Sequence, residues 1–540
     1  MKRSLLILAA GLVLLAGLSL VGWSDGGGVL RVTFAWPTYI DPAVGSDFSS
    51  SSSFVNLYDT LVYPDTKGDP LPHVATAWEA SADGLTWTFH LRNDVKFHDG
   101  TPLTAADVKF SMDRLITIGE GYAFLFIGRV ASTEAVDQYT VRFHLSKPFG
   151  PFLSTLYRLY ILNKKLVEAN IKKPGPYGDM GDYGKAYLVD HDAGSGPYMV
   201  KEFRVEEELV MVKNPNYWLP IDPNAPENVR FIGTTEPATI RTMMSRRELE
   251  ISDQWQPQEA LKALDGINGV DIAAFSPGTE FYLMINTRKP PTDDIHFRRA
   301  MAWATDYQTV VQHIFPGAIQ ARGPVPQNVP GADPNLFQYH RDLNKAREEL
   351  AKSKYANELD KYPVEFHWIA EVPDEEKVAL SFMANMADIG INVKVVKVPW
   401  MSVVDEMAKE ETSPNIVSVF DSSHYPEAGS LLESRYHSSS AATWEQNEWL
   451  LDKKLDAMIE DAITTIDRTE RFAKYAQIQQ YIMDLCPTIF LFEQVEKHAY
   501  QAAYVDWPVA QGEINPVMGY NMAARFIKVY PDKRQKLLGG

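Results

Sequence analysis

The sequence predicts a mixed α/β protein built from more than one domain. Three observations carry that expectation. Two short segments alternate apolar and polar residues strictly, one stretch reads strand, helix, strand, and several apolar stripes repeat at helical spacing behind capping residues. At 540 residues there is chain enough for two or three domains, and 45% hydrophobic residues make it globular. A formal net charge of −18 argues against a nucleic-acid partner, which would need clustered Lys and Arg.

In chain order, Lys2 and Arg3 precede the apolar run SLLILAAGLVLLAGLSLVGW, and polarity returns at Ser24 and Asp25. This is a secretory signal, residues 1–24, expected to be released after about Ser24, with an uncleaved anchor helix as the alternative. Leu20-Val21-Gly22-Trp23 resembles a lipoprotein box with Trp23 in the place of the lipid-accepting cysteine, so no lipidation is expected. Cys486 is the only cysteine, so an exported chain has no internal disulfide, and its apolar neighbours predict a buried, inert thiol.

Val29 to Phe34 reads as the first strand, and the serine run at 49–53 as a loop into a helix or turn around Phe54–Leu61. TWTFHL and TVRFHL alternate as half-buried strands. Their His90 and His144 face the other way, without carboxylate or thiol companions at ligand spacing, and read as solvated residues rather than a metal pair. In VKFHDGTPLTAADVKFSMDRL a strand meets an Asp-Gly turn, and Thr104 with Asp107 opens a helix whose buried stripe is Val108, Met112 and Leu115. His98 at that turn is read as architecture.

GSGPY reads as a turn before a strand from Tyr198. Asp294 precedes a helix with Phe297, Met301 and Ala304 on one face. VEFHWIA, a helix with Val378, Phe382, Met386 and Ile389, and INVKVVKV form a βαβ unit, which implies parallel strands. Leu455, Ile459, Ala462 and Ile466 form another stripe, and Asp467 with Glu470 caps a helix carrying Tyr475, Ile478 and Ile482.

Signatures of catalysis are missing: no phosphate loop, no HExxH zinc helix, no GxSxG elbow. No cofactor is implied. Aromatic residues are plentiful, with 12 Trp, 25 Tyr and 25 Phe, and Trp36, Trp255 and Trp400 stand where strands or turns end, positions suited to the apolar or sugar-ring faces of an organic ligand.

The segment LVYPDTKGDPLPHVATAWEASADGLTWTFHLRNDVKFHDGTPLTAADVKFSMDRL resembles the peptide/nickel family (family 5) of ABC-importer solute-binding proteins, as do GSGPY, VKNPNYW, YLMINTRKPPTDDIHFRRAMAWATD and the stretch from Leu455 to Phe492. The resemblance implies a periplasmic-binding-protein-like fold of class II type, two α/β lobes closing on a solute, with an extra β-containing domain. It maps lobe one to about residues 29–60, 186–274 and 490–540, the extra domain to 61–185 and lobe two to 275–489. It also implies a monomer outside the cytoplasmic membrane that serves an ABC permease and ATPase complex.

For the site, the resemblance places a lobe-two tryptophan at Trp400. The family's W-x-x-D-Y-x-D/E segment, whose first aspartate holds a peptide's α-ammonium, falls on DSSHYPEA, with Asp421 at the tryptophan position, His424 at the aspartate position and Tyr425 following. An early glutamate used by some oligopeptide binders lies near Gly45-Ser46, with no acid aligned. A buried ammonium needs a carboxylate, and Asp421 is the substitute within reach. Trp36, Trp255, Trp400, Phe420 and Tyr425 offer aromatic faces, so an oligosaccharide stands beside a peptide-like solute. The rival readings are a secreted hydrolase using Asp421 and His424, and a sensory or chaperone-like protein on the same fold.

Overall fold

A computed structural model describes residues 28–34 and 37–539. The expected signal segment and Trp36 lie outside the described residues. Two large sheets organise the chain. The first runs Tyr198–Arg204, Glu208–Lys213, Asn228–Gly233, Val29–Phe34, and continues through Ile251, which bridges Val32 on one side and Tyr500 on the other, to Glu496–Tyr500 and Asp271–Phe275. Segments far apart in the chain, 29–34 and 496–500, therefore share one sheet. The second has the order Ile319–Gln320, Thr488–Glu493, Glu280–Ile285, Ile416–Asp421, Val364–Ile369, Val393–Val398. The last two are parallel, Val364 facing Val393, with helix Pro373–Ala387 between them as the βαβ pattern predicts. A boundary at 490 falls inside the strand Thr488–Glu493, which pairs antiparallel with Glu280–Ile285, so 490–493 belong to the second sheet.

Glu280–Ile285 is buried along its whole length. Phe281, Leu283 and Ile285 pack with Phe297, Met301 and Phe382 on one face, whereas Tyr282 and Met284 join a second core with Leu455, Ile459 and Tyr475. Ile466, expected in that stripe, follows the end of helix Lys453–Thr464 and is exposed, because the helix stops two residues before it. Cys486 is buried, and burial pushes its thiol up from the ordinary value.

The chain passes between the two sheets at residues 276–279 and 494–495, and these short crossovers lie side by side: the Gln494 N–H donates to the Thr279 carbonyl at 2.8 Å. Two adjacent thin connections between large bodies have the form of a hinge.

A third, smaller sheet is antiparallel: Ala75–Ala80, Thr86–Leu91, Thr140–Leu145, Val130–Asp137. The two segments that echo each other in sequence are neighbours in it, Trp87 opposite Phe143 and Phe89 opposite Val141. Helix Ala105–Ile118 lies against it, opened by the Thr104–Asp107 capping box. This unit touches both large sheets' bodies. On the first sheet's side Arg114 Nη1 donates to Asp41 Oδ1 at 2.7 Å; on the second's, Arg158 Nε donates to the His424 carbonyl at 2.8 Å, the Gly150 N–H to the Ile463 carbonyl at 3.1 Å, and Arg129 pairs with Glu433.

The serine run is helix, not loop. Asp47 caps Phe48–Leu57 by accepting from the Ser50 N–H at 2.8 Å, and Ser53 Oγ donates to the Ser49 carbonyl at 3.0 Å. Small side chains let neighbours come close. A Cβ on Gly519 would sit 2.7 Å from Ser51 backbone, and one on Gly194 only 1.9 Å from the Leu57 carbonyl oxygen, which explains the glycines of GSGPY. Tertiary packing thus overrides weak serine helix propensity.

His98 is architecture in the structure too. Its Nδ1 lies 2.5 Å from Asp192 Oδ1, and its Nε2 is 3.0 Å from the Gly196 carbonyl, tying the small sheet's turn to the segment that leads into strand Tyr198–Arg204. His98→Ala leaves the buried Asp192 carboxylate with only the Gly194 and Val200 N–H donors, so a loss of about 2 kcal/mol is expected from the urea midpoint. An unchanged midpoint would remove the pair from the account of stability.

Candidate functional site

Between the two large sheets lies a cleft with about 760 Å³ of atom-free space, part of it open to solvent. Phe34, at the end of its strand, and Asp47, Phe48 and Trp255 line one side; Ile369, Glu375, Trp400 and Phe420 line the other. Thr279, the last residue of one crossover, and Glu496, the first after the other, line it beside the hinge. Among the described lining residues there are four carboxylic acids and no Lys, Arg or His.

Of the residues singled out in sequence, the structure brings Trp255, Trp400, Phe420 and Asp421 together here. Trp255 is held by its own N–H, which donates to Asp253 Oδ1 at 2.9 Å, and its ring meets Phe420 with centroids 5.0 Å apart. Phe420 in turn packs on Phe281 at 4.5 Å, so the second sheet's core fixes it. Trp400 opens helix Trp400–Met407, donates its N–H to Glu371 Oε2 at 3.1 Å, and packs edge-on to Trp444 at 5.4 Å.

Asp421 is not free to swing toward a solute. Its Oδ2 accepts from Arg435 Nε at 2.8 Å and its Oδ1 from the Ser422 N–H at 2.7 Å, and its side chain is fully buried. The same guanidinium donates to Glu280 Oε2 at 2.5 Å. Glu280 is pushed up to about 8: burial does most of it, against the pull of Arg435 and with Glu493 and Asp421 adding to the rise.

His424 and Tyr425 do not line the cleft. His424 Nε2 lies 3.1 Å from Glu445 Oε2, and its ring is packed edge-on against Tyr122 and Phe124 of the small unit, 5.5 and 5.3 Å away. Tyr425 is fully buried beside Gly429. The small unit covers this segment, so the pair Asp421 and His424 presents no shared reactive face to the cleft.

Sequence reasoning missed Asp47, Glu375 and Trp444. Asp47 does carry a signal, as the cap of a serine helix, and it brings an acid two residues from the position where none aligned. Its carboxyl is raised by burial, against hydrogen bonds from Ser50 and Thr38. Glu375 looks like any first-turn acid of a helix. Yet it is buried, its Oε2 accepts from the Ile369 N–H at 2.9 Å and from Ser418 Oγ at 2.7 Å, and burial drives it up to about 8. Trp444 stands in a turn with no motif around it.

The model of the bacterial extracellular solute-binding proteins, family 5 (middle), matches residues 69–443. The chain belongs to that family. This solute-binding protein is 31% identical to the probable D,D-dipeptide-binding periplasmic protein DdpA of Escherichia coli K12 over 472 residues, 85% of its own length and 87% of that protein. Its fold is similar to that of the periplasmic binding protein DppA of Helicobacter pylori, solved with the peptide STSA, at a TM-score of 0.81 and 23% identity over 93% of this chain and 98% of the other. It is also similar to NikA of Brucella suis, solved with Fe(III)-EDTA, at a TM-score of 0.75 and 21% identity over 93% and 100% of the two chains. The two-lobed fold expected from the sequence is therefore the fold of this solute-binding protein, its lobes built on the two large sheets. Among its described residues no helix is long and apolar enough to cross a membrane.

Proposed function

We propose that this protein captures a small, peptide-like organic solute outside the cytoplasmic membrane and hands it to an ABC membrane complex. The observation that carries the reading is the cleft itself. It lies between two lobes joined by paired thin crossovers, with aromatic faces supplied by each lobe, Trp255 from one and Trp400 and Phe420 from the other. A solute touching both walls favours the closed arrangement because only that arrangement offers all its contacts. The peptide class is supported by relatives such as the D,D-dipeptide binder. Members of the family are binding proteins, and no catalytic step is part of this proposal. Lobe one is taken as 29–60, 186–275 and the chain from 494 onward, lobe two as 276–493, and the small unit as 61–185; the working form is a monomer.

Thermal shift of the mature protein against L- and D-dipeptides, tripeptides and β-linked oligosaccharides tests this. A peptide at a hundredfold over its dissociation constant adds about 2.7 kcal/mol of stability. No shift with any peptide would overturn the reading. With a peptide in hand, Trp255→Ala should weaken binding about tenfold or more, since a half-buried aromatic anchor is lost, while leaving the thermal midpoint of the free protein almost unmoved. Unchanged affinity would take Trp255 out of the site.

A further inference from the structure

We infer that Glu375 receives the cationic head of the solute, an ammonium or guanidinium, a part for which neither Asp421 nor His424 is free. The inference rests on the peptide-like reading above and names the residue on which recognition turns. Glu375 is almost wholly buried in the cleft wall, and both of its protein donors, the Ile369 N–H and Ser418 Oγ, reach the same oxygen, Oε2. Oε1 has no protein donor among the described residues.

The other three lining acids are engaged. Asp421 is held by Arg435 and Ser422; Asp47 is held by the Ser50 N–H and the Thr38 hydroxyl; Glu496 accepts from Thr279 Oγ1 and lies 3.6 Å from His498. The charges on the elements around Glu375 supply no cation to it. Glu371 on the preceding turn is another acid, and Lys377 is drawn off to Asp374 and to Glu259 across the lobes. Arg435 serves Asp421 and Glu280. Asp47 and Glu496 face the cleft from the opposite wall and from beside the hinge.

A buried carboxyl with no counter-charge is costly to ionise, and a cation brought by the solute repays that cost. Trp255, Trp400 and Phe420 add aromatic faces within the same cleft, which favour a desolvated cation. In the empty cleft Glu375 holds its proton at neutral pH, since burial raises it to about 8. When the ammonium arrives the carboxyl ionises and that proton passes to the solvent, so charge balances inside the cleft.

The test is titration calorimetry at pH 7 with the best peptide from the thermal screen, run in two buffers of different ionisation enthalpy. Wild-type protein should release close to one proton per peptide bound. The N-acetylated peptide should bind at least fiftyfold more weakly. Glu375→Gln should lose a similar factor for the free amine, release no proton, and show little further loss on acetylation. Equal acetylation penalties in wild type and Glu375→Gln, or no proton release by wild type, would overturn the inference while the peptide reading stands. If no peptide binds wild type at all, the failure belongs to that reading instead. The proton count and the acetylation arm need only wild-type protein, so a variant that fails to fold does not remove the test.

Discussion

Replacing Arg435 by methionine is expected to cost about 3–5 kcal/mol of stability, the range seen when one partner of a buried ion pair is removed. The guanidinium is fully buried and does four things at once. It donates to Asp421 at 2.8 Å, to Glu280 at 2.5 Å and to the Pro324 carbonyl at 3.2 Å, and it lies over the Tyr282 ring with 4.2 Å to the centroid. Methionine fills much of the volume but leaves two carboxyls in one dry site with no cation. They can then stay in place only by holding protons, so the loss should be deeper at pH 8 than at pH 5. Glu280→Gln is the contrast. One guanidinium already faces two carboxyls, and Glu280, held up to about 8, keeps its proton at neutral pH; the amide should therefore cost little there. Urea unfolding of both variants at the two pH values checks the pair. A loss below about 1 kcal/mol for Arg435→Met would mean that water reaches the site.

The free protein should also become less stable as pH rises from 5 to 8. Glu280, Glu375 and Glu448 are each pushed by burial to about 8, from an ordinary value of 4.5. Between those values the folded chain holds protons that the unfolded chain has released. Stability from these groups is thus complete below about 4.5 and is lost as pH climbs through about 8. Each contributes a slope of at most about 1.4 kcal/mol per pH unit. Asp253, raised by burial to about 6, acts in the same direction over the lower part of the window. Thermal midpoints of ligand-free protein at pH 5.5 and 8 decide this, and a midpoint that rises with pH would sink it. Glu375→Gln should flatten the slope by one group's share.

Local pattern carried much of the fold. Alternation found the paired strands Thr86–Leu91 and Thr140–Leu145, and capping residues found the helices after Thr104, Asp294 and Asp467, because those choices are made by neighbours in sequence. The serine helix escaped because its stability comes from Tyr122, Gly519 and the chain's far end, not from its own residues. In the cleft, Trp255 and Trp400 were legible as aromatics at the ends of elements, and Phe420 as an aromatic face beside the motif segment. Glu375 and Trp444 were not, since nothing beside them in the chain says that the cleft wall closes over them. His424 and Tyr425 were misplaced for a third reason: alignment to a motif fixes the segment but not the Tyr122 and Phe124 side chains that another unit lays across it.

The contacts of the small unit with both lobes bear on affinity itself. Opening about the crossovers must either carry the small unit with lobe one and break Arg158 from His424, Gly150 from Ile463 and Arg129 from Glu433, or carry it with lobe two and break Arg114 from Asp41 and His98 from Asp192. Either way these bonds weigh the empty protein's equilibrium toward one arrangement. Apparent affinity equals the intrinsic affinity scaled by the fraction of molecules already able to bind. A side chain at Gly150, where a Cβ would come within 2.6 Å of Arg471, is therefore expected to shift capture from a residue outside the cleft lining.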